Sequence, residues 1–581
     1  MNNIQQDKDY LIRYWQYLKK YKRLLSVSLI LIPCITGFHL VQPYLLKVGI
    51  DDYITQGNLT GLSRVALFFG MAVVGEFICR ALQSFLFQYV GQKTISTLRV
   101  DLFRHVSHLS SSYFDKTPKG IITSRLTSDV ESLNESFSSG LVTLVGDVLT
   151  LIGILVFMSI LSLKLTLVTV VFVPPLILII NFFRVKLRFY YTAIRVTVGK
   201  ITASLQEQLQ GVEIVQLFSR ESKNYHHFKD LNKAYRKAVL GSVYFDALLY
   251  SIVEAMSSIV IAVMLWYGFA QHLNSAITIG VLVAFIDYIQ KFFQPLKELS
   301  TKFAVLQQAL AALEKIFGTF DIQEHIPSGS LTLPDSKGHM IFKEVSFAYP
   351  GHEDKPILKN VSLELNVGSV TALVGPTGSG KTTVGRLMSH LYTGYSGHIL
   401  LDNHPIQDLD LAFLRSQIAH VSQDIQLFSG SIAFNITMGN PKVSTEAAID
   451  AAKRVQAHDF IQKFPDGYDT VLTHQGGALS LGQAQLISFA RALACPSPII
   501  LLDEATANVD SLSERLIQKA TELIFSQKTV LVIAHRLSTI QKADHIYAMK
   551  DGEILEEGSH KALMAKDGFY AKLFQLQFSH L

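Results

Sequence analysis

Charged residues are scarce in this sequence. Asp, Glu, Lys and Arg make up 17% of its 581 residues, hydrophobic residues make up 49%, and the mean hydropathy is +0.29. This balance is too apolar for an ordinary water-soluble protein of this length and predicts a membrane-embedded portion. The length exceeds the usual single domain several-fold, so at least two domains are expected.

Cysteine is scarcer still. Cys34, Cys79 and Cys495 have no metal-ligand spacing, and two of them lie in apolar segments, which argues against a disulfide framework. The net charge of +5 is small for the length and indicates cytoplasmic-side loops rather than nucleic-acid binding. Residues 1–23 are polar and basic, with no small-residue cleavage site behind the first apolar run, so no cleaved signal peptide is expected.

Long apolar stretches are abundant in the first half of the chain. Each is close to the ~20 residues that cross a bilayer as a helix. They lie at Leu24–Leu46, Leu67–Phe87, Leu141–Leu161, Leu167–Phe183, Ala247–Phe269 and Ile277–Phe293. These stretches predict an all-α polytopic membrane domain with six long helices.

The connections between these spans alternate in length. Those after Leu161 and Phe269 are short, whereas those after Phe87 and Phe183 run for roughly fifty residues or more. Basic residues precede the first span and crowd the connection after Phe87, so the positive-inside rule places both on the cytoplasmic side. Both termini are then expected in the cytoplasm. The long connections are expected to be helical extensions of the spans.

Several ionisable residues lie in or beside these spans, where a charge is costly and by default lines a cavity or pathway. They are Glu76, Arg80, Asp246, Glu254 and Asp287. In the alternative interpretation, Glu76 and Arg80 satisfy each other at helical spacing, and Asp246 and Asp287 lie at span ends. Glu254 is the leading candidate for contact with a substrate.

A glycine-rich stretch fills the phosphate-loop pattern G-x-x-x-x-G-K-[ST] at every required position. It consists of Gly375, Pro376, Thr377, Gly378, Ser379, Gly380, Lys381, Thr382 and Thr383. The run 370–374 predicts a buried strand and 383–388 a helix, so the glycines fall where backbone N–H groups can surround an anion. Lys381 is predicted to reach the β- and γ-phosphates of a nucleoside triphosphate, and the Thr382 hydroxyl to ligate Mg²⁺.

A second motif, Ile499–Glu504, predicts a buried strand that ends in two carboxylates. Asp503 is predicted to hold the Mg²⁺ shell, and Glu504 to polarise the water that attacks the γ-phosphate. Such a strand alone is weak evidence for a nucleotide site, but together with the phosphate loop it is strong evidence for one. From Met340 onward, β-like runs alternate with helical ones, which is typical of an α/β P-loop ATPase domain.

Further motifs carry a resemblance to a known family. Leu479–Gln483 resembles the LSGGQ signature of ABC ATPases, and Val530–Arg536 resembles their switch-histidine strand. The pattern continues with Gln423 in the Q-loop, Asp510 in the D-loop and Tyr349 as the adenine-stacking aromatic residue. The membrane half resembles the six-helix ABC exporter domain, so the resemblance covers nearly the whole chain.

The resemblance implies a half-transporter. In this family ATP lies between the phosphate loop of one subunit and the signature of the other, so Ser480, Gly482 and Gln483 would serve the partner's nucleotide. His535 would contact the γ-phosphate, and Gln423 would join the Mg²⁺ and water shell and relay closure to the membrane helices.

The cytosolic tips at Tyr113–Asp115 and Ser219–Phe228 would be the coupling helices that dock on the ATPase domain.

Two positions depart from the family pattern: Leu481 replaces a usual glycine of the signature, and His474 replaces a usual glutamate. The departures leave open whether a homodimer or a heterodimer forms. A homodimer is favoured because Lys381 and the other catalytic positions are retained.

The predicted domains are a transmembrane domain at 1–320, a linker at 321–339 and an ABC ATPase domain at 340–581. The expected function is ATP-driven export of a hydrophobic or amphipathic drug, lipid or peptide-like substrate across the cytoplasmic membrane by alternating access. An ABC-type ATPase that regulates a membrane partner and one half of a heterodimeric exporter with a degenerate site are the alternatives. A nucleic-acid-handling ABC ATPase is opposed by the spans and by the lack of a concentrated basic face.

Overall fold

The computed structural model describes residues 2–136, 140, 142–273, 277–473, 479–503, 511–534 and 536–578. The chain separates into two compact units. The first comprises Met1–Ser107 and Lys119–Ile322, and the second comprises His108–Pro118 and Gln323–Leu581.

Helices build the first unit, because apolar segments in lipid must satisfy their backbone hydrogen bonds internally. They are α1 (Asn2–Leu18), α2 (Lys22–Val48), α3 (Leu59–Ser107), α5 (Lys119–Ser124), α6 (Val130–Ser136), α7 (Val142–Leu161), α8 (Leu163–Val171), α9 (Val173–Gln210), α10 (Val212–Leu217), α11 (Glu221–Leu273) and α12 (Ile279–Phe320). Helix α4 (Ser111–Lys116) belongs to the second unit. A 3₁₀ turn at Lys19–Tyr21 and π-helical stretches at Gly49–Ile54 and Arg125–Asp129 join some of them.

Six helical segments within the described ranges are long and apolar enough to cross a membrane, which confirms the predicted number. They are Lys8–Ile54, Leu59–Ser107, Thr143–Leu161, Leu163–Gln210, Glu221–His272 and Ile279–Glu298. Several exceed their apolar stretches because polar residues continue the helix beyond them, as in the 49 residues of α3. Helix α12 continues beyond the last apolar stretch to Phe320 and carries Pro295 in its interior.

The core of the first unit forms around α12. Phe285, Tyr288 and Ile289 are fully buried there, and the Tyr288 hydroxyl donates a 2.7 Å hydrogen bond to the carbonyl oxygen of Leu40 on α2. This bond joins residues far apart in sequence and satisfies a polar group that burial would otherwise leave unpaired.

The second unit is an α/β lobe with strands in three sheets. The strands are β1 (Met340–Phe347), β2 (Leu358–Leu365), β3 (Val370–Val374), β4 (Ser396–Leu401), β5 (His404–Pro405), β6 (Ile418–Val421), β7 (Gly430–Ser431), β8 (Val471–Leu472), β9 (Ile499–Asp503), β10 (Thr529–Ile533), β11 (His545–Lys550) and β12 (Glu553–Gly558). Its helices are α13 (Lys381–Met388), α14 (Leu411–Ser416), α15 (Ile432–Thr437), α16 (Thr445–Arg454), α17 (His458–Ile461), α18 (Leu481–Ala494), α19 (Ser511–Phe525), α20 (Leu537–Gln541), α21 (His560–Ala565) and α22 (Phe569–Phe578), with a 3₁₀ turn at Gly467–Asp469.

The central sheet has the strand order β12-β11-β3-β10-β9-β6. Strands β11, β3, β10, β9 and β6 run parallel, and β3 and β10 are buried along their whole length because helices cover both faces. The carboxyl ends of parallel strands share one edge of a sheet, where ligands of such folds bind. The loops that follow β3, β9 and β6 therefore leave the sheet at the same edge.

The two predicted coupling tips differ in their placement. Tyr113–Asp115 lies in α4 and packs within the second unit, where the backbone N–H of Ser110 donates to the carbonyl oxygen of Glu324 at 2.7 Å. Ser219–Phe228 forms the turn between α10 and α11 and the first turns of α11, all within the first unit.

Candidate functional site

The phosphate loop connects β3 to α13. Helix α13 begins at Lys381, two residues before the predicted start, and Gly380 precedes it with a φ of +101°. A Cβ atom at position 380 would lie 2.6 Å from Leu358 Cδ2, so both the backbone conformation and the available space favour glycine there.

The Lys381 side chain is buried and folds back over the loop. Its Nζ donates to the carbonyl oxygens of Gly375 at 2.8 Å and Pro376 at 2.9 Å. Burial lowers the pKa of Lys381, and the charge of Asp503 acts in the opposite direction. The ammonium group is thus held inside the loop, at the place where the sequence predicts phosphate oxygens.

Asp503 and Gln423 follow parallel strands at the same sheet edge. Asp503 ends β9, and Gln423 lies in the exposed loop after β6. With the hydroxyl of Thr382 they supply the oxygen donors that suit Mg²⁺, a cation that usually takes only one or two carboxylates together with substrate phosphates. The described residues contain no cluster of three His, Cys, Asp or Glu side chains that could hold a metal. Mg²⁺ binding by Thr382, Asp503 and Gln423 stays a prediction.

Four positions singled out from the sequence lie outside the described residues: Glu504, Asp510, His535 and His474. The strands that lead toward two of them are present, since β9 ends at Asp503 and β10 ends at Ile533. The roles predicted for these residues stay predictions.

The signature segment opens α18. Ser480 is the N-cap: its Oγ accepts from the backbone N–H of Gln483 at 3.2 Å, and Gln483 Oε1 accepts from the backbone N–H of Ser480 at 3.0 Å. These reciprocal bonds form a capping box. Leu481 occupies the first helical position and is 51% exposed, while Gly482 is buried. The departure from the family pattern thus places an apolar side chain on the surface and leaves the cap intact.

Tyr349 stands beside the phosphate loop. Its hydroxyl lies 3.1 Å from Thr383 Oγ1 and accepts a 3.2 Å hydrogen bond from Arg386 Nη1. Its ring meets that of Tyr392 edge to face at 5.1 Å. The aromatic residue predicted to stack on adenine is therefore anchored to α13, the helix that leaves the phosphate loop.

The first unit contains a polar cavity of about 360 Å³ between α2, α3, α7 and α12. Its charged or ionisable lining residues are His39, Arg80, Asp147, Lys291, Glu298 and Lys302. Lys302 pairs with Asp147 and with Glu298, and Lys291 pairs with Asp287 at 3.3 Å. The cavity wall is therefore richer in charge than the apolar spans suggested.

Glu76 and Arg80 contact each other, as the alternative interpretation of the sequence proposed. Arg80 Nη2 donates to Glu76 Oε1 at 2.6 Å, and Gln42 Nε2 donates to Glu76 Oε2 at 2.6 Å. The other candidates are also paired: Asp246 accepts from the Tyr191 hydroxyl at 2.8 Å, and Glu254 pairs with Lys297. Glu254 is absent from the lining of the polar cavity.

Two family models match the chain. The model described as ABC transporter transmembrane region covers residues 25–296, and the model described as ABC transporter covers residues 358–507. The chain belongs to the ABC transporter family. The transporter is 37% identical over 571 residues to an uncharacterized ABC transporter ATP-binding protein, YknV, of Bacillus subtilis (strain 168), covering 98% of this chain and 94% of that protein.

Relatives with an assigned activity are similar over nearly the same length. An ATP-dependent lipid A-core flippase of Salmonella typhimurium is 33% identical, covering 97% of both chains. Among solved structures, a bacterial Atm1-family ABC exporter with ATP bound has a TM-score of 0.77 and 27% identity, covering 96% of this chain and 98% of the other. The predicted fold class is confirmed: a helical transmembrane domain is fused to an α/β ABC ATPase domain. The transporter is a membrane protein that couples ATP hydrolysis to transport.

Proposed function

We propose that the transporter exports an amphipathic substrate across the cytoplasmic membrane as a dimer of half-transporters, with its ATPase lobe and both termini in the cytoplasm. The observation that carries this proposal is the fusion of six spans to one ATPase lobe whose sheet edge brings together Lys381, Asp503 and Gln423. One chain holds one phosphate loop and one signature, so a second chain would complete each ATP site as the family resemblance implies.

The residues of the ATP site divide the work of phosphate binding, water activation and contact with the partner. The loop at 375–383 binds the phosphates, Lys381 exchanges its carbonyl contacts for phosphate oxygens, and Glu504 orients and deprotonates the attacking water. Mg²⁺, held by Thr382, Asp503 and Gln423, would neutralise charge on the phosphates. Ser480 and Gln483 would present the N-terminus of α18 to the partner's γ-phosphate, where a helix N-terminus favours an anion.

The charged wall of the membrane cavity supports an amphipathic rather than a wholly apolar cargo. A wholly apolar molecule would offer no polar group to Arg80, Glu298 and Lys291, which line the cavity. A cargo with a polar head would do so while its apolar part remained in contact with the spans. The ATP-dependent lipid A-core flippases among its relatives act on a lipid, which supports this class of cargo.

The test is export and ATP hydrolysis by the full chain alone. The purified transporter in lipid nanodiscs should hydrolyse ATP, and inside-out vesicles that contain it should take up an amphipathic cargo only with ATP. Hydrolysis without any cargo movement would instead favour an ATPase that regulates a membrane partner. ATP binding without hydrolysis in the chain alone would favour a heterodimer, with Leu481 and His474 marking the degenerate site.

A further inference from the structure

The polar cavity between α2, α3, α7 and α12 has more negative than positive charge in and directly behind its wall. Its lining contains three permanent cations and two carboxylates: Arg80, Lys291, Lys302, Asp147 and Glu298. Two further carboxylates contact these cations, Glu76 at Arg80 and Asp287 at Lys291. Four carboxylates therefore face three cations, and the charge of this described set is −1.

Two of the cations each have a carboxylate of their own. Arg80 Nη2 lies 2.6 Å from Glu76 Oε1, and Lys291 Nζ lies 3.3 Å from Asp287 Oδ2. Lys291 also donates to the carbonyl oxygen of His39 at 3.1 Å. Arg80 is the most exposed of the three cations, but an anionic head group that approached it would compete with Glu76 for the guanidinium.

The third cation is shared by two carboxylates. Lys302 Nζ lies 3.0 Å from Glu298 Oε2 and also pairs with Asp147. The Lys302 side chain is 14% exposed, whereas Glu298 is 44% and Asp147 is 26% exposed. The ammonium is therefore less accessible than the carboxylates that it serves. These three residues, the Lys302 cluster, have a net charge of −1.

His39 is the remaining basic group of the wall, and its Nδ1 lies 3.2 Å from Glu76 Oε1. Imidazoles are mostly neutral above pH 7, and His39 then adds no charge. Protonation of His39 would bring the charge of the set to zero rather than to a positive excess. The wall therefore favours no anion in either state of this histidine.

Charge selects cargo strongly at such a place, because interactions between charges are weakly screened where lipid and protein exclude water. We propose that this cavity binds the head group of a cationic amphiphile and that the Lys302 cluster is its cation-binding end. The inference rests on the proposed function and deepens it, because it names the charge of the cargo that the transporter exports.

The first test compares three probes that share one apolar body, diphenylhexatriene. The first carries a trimethylammonium head, the second has no head group, and the third carries a propionate. The full-length transporter in phosphatidylcholine nanodiscs is titrated with each probe at pH 8, and specific binding is the excess over empty discs of the same lipid. The cation should bind about tenfold more tightly than the anion, with the uncharged probe between them. Equal affinities for the cation and the anion, or tighter binding of the anion, would overturn the inference.

The second test removes one carboxylate of the Lys302 cluster. Glu298→Gln leaves Lys302 paired with Asp147, so the cluster becomes neutral and the preference for the cation should fall from about tenfold to about twofold. Glu254→Gln is the matched control, since Glu254 pairs with Lys297 on α12 but is absent from the cavity lining. This variant should keep the tenfold preference.

An unchanged preference in Glu298→Gln, or an equal loss in both variants, would refute the role of the cluster. If Glu298→Gln fails to fold, Asp147→Asn removes the other carboxylate and carries the same expectation.

Transport measurements separate this inference from the proposed function. Inside-out vesicles should accumulate the cationic probe with ATP faster than the anionic one. Equal rates for both would contradict the charge selectivity alone. ATP hydrolysis that moves none of the probes would contradict export, while the binding series still decides the charge of the ligand. A chain that binds none of the three probes would overturn the cavity as a cargo site.

Discussion

The phosphate loop of the ATPase lobe and the membrane half of this transporter differ in the range of the contacts that define their sites. In the lobe, Lys381 bonds the carbonyl oxygens of Gly375 and Pro376, which lie within six residues of it. In the membrane half, the Lys302–Asp147 pair joins residues 155 apart, and Tyr288 reaches the backbone of Leu40 across 248 residues. A short motif can specify the first kind of site, whereas the second exists only once helices have packed.

The largest expected effect comes from the lobe. Glu504→Gln should retain ATP binding and lower ATP turnover by a factor of about 10²–10⁴, because glutamine cannot accept the proton of the attacking water. Steady-state phosphate release and equilibrium binding in nanodiscs measure the two quantities. Glu553→Gln, on the exposed strand β12, is the control and should hydrolyse ATP normally. Rapid hydrolysis by Glu504→Gln would remove Glu504 from its predicted role.

Lys381→Ala tests the same local motif at the binding step. Loss of the phosphate-directed ammonium should weaken ATP binding by roughly tenfold or more, since charge-assisted hydrogen bonds are stronger than neutral ones. Lys359→Ala removes an exposed lysine of β2 and should leave the Kd unchanged. Unchanged affinity in Lys381→Ala would contradict the phosphate cradle.

A long-range contact of the membrane half is tested by Lys302→Met. Lys302 is 14% exposed and pairs with Asp147 and Glu298, so its removal leaves carboxylates without their cation and should cost about 2–3 kcal/mol of stability. Thermal unfolding followed by circular dichroism should show a lower midpoint for Lys302→Met than for the wild type. The double variant that combines Lys302→Met with Asp147→Asn should recover part of the lost stability.

Lys297→Met is the matched control on the same helix. Its partner Glu254 is 67% exposed, and such a pair contributes about 0–1 kcal/mol. Equal midpoint shifts for Lys297→Met and Lys302→Met would show that burial does not distinguish the two pairs.

The smallest effect concerns His390, which follows α13 with a φ of +48°. Its ring nitrogens are buried without a hydrogen-bond partner among the described residues, and burial, then Arg415, lower its pKa below the ordinary 6.5. The unfolded chain therefore binds more protons, so stability falls as the pH drops below about 6.5.

His390→Asn isolates this contribution, because asparagine tolerates the left-handed backbone and does not titrate in this range. The variant should lose less thermal stability than the wild type between pH 7.5 and pH 5.5. The same pH dependence in both chains would exclude His390 as a source of acid sensitivity.

Sequence patterns predicted the fold class well because each element has a local signature. The apolar run 370–374 before Gly375 predicted β3, and the six apolar stretches predicted the membrane helices. Helix ends were less predictable: α13 begins at Lys381 rather than Thr383, because Gly380 in a left-handed conformation already starts the helix.

The candidate site was only partly predictable. The phosphate loop and Asp503 follow from motif spacing, whereas the Tyr392–Asp115 contact joins residues 277 apart and has no periodicity to reveal it. The sequence singled out Arg80, which lines the charged cavity, but missed Lys291, Glu298 and Lys302, which lie on a helix whose apolar average conceals them. Side-chain pairing across helices depends on packing, which a single sequence does not record.

The capping box at Ser480 and Gln483 has a consequence for the reversibility of the proposed cycle. In the chain described here, these two residues already satisfy each other's backbone N–H groups. A partner's γ-phosphate that took the backbone N–H of Ser480 or Gln483 would exchange an existing hydrogen bond rather than satisfy a vacant donor, so the net gain at those two contacts is small. Two lobes closed in this way would separate again once the phosphate is released, because each signature returns to a self-contained cap.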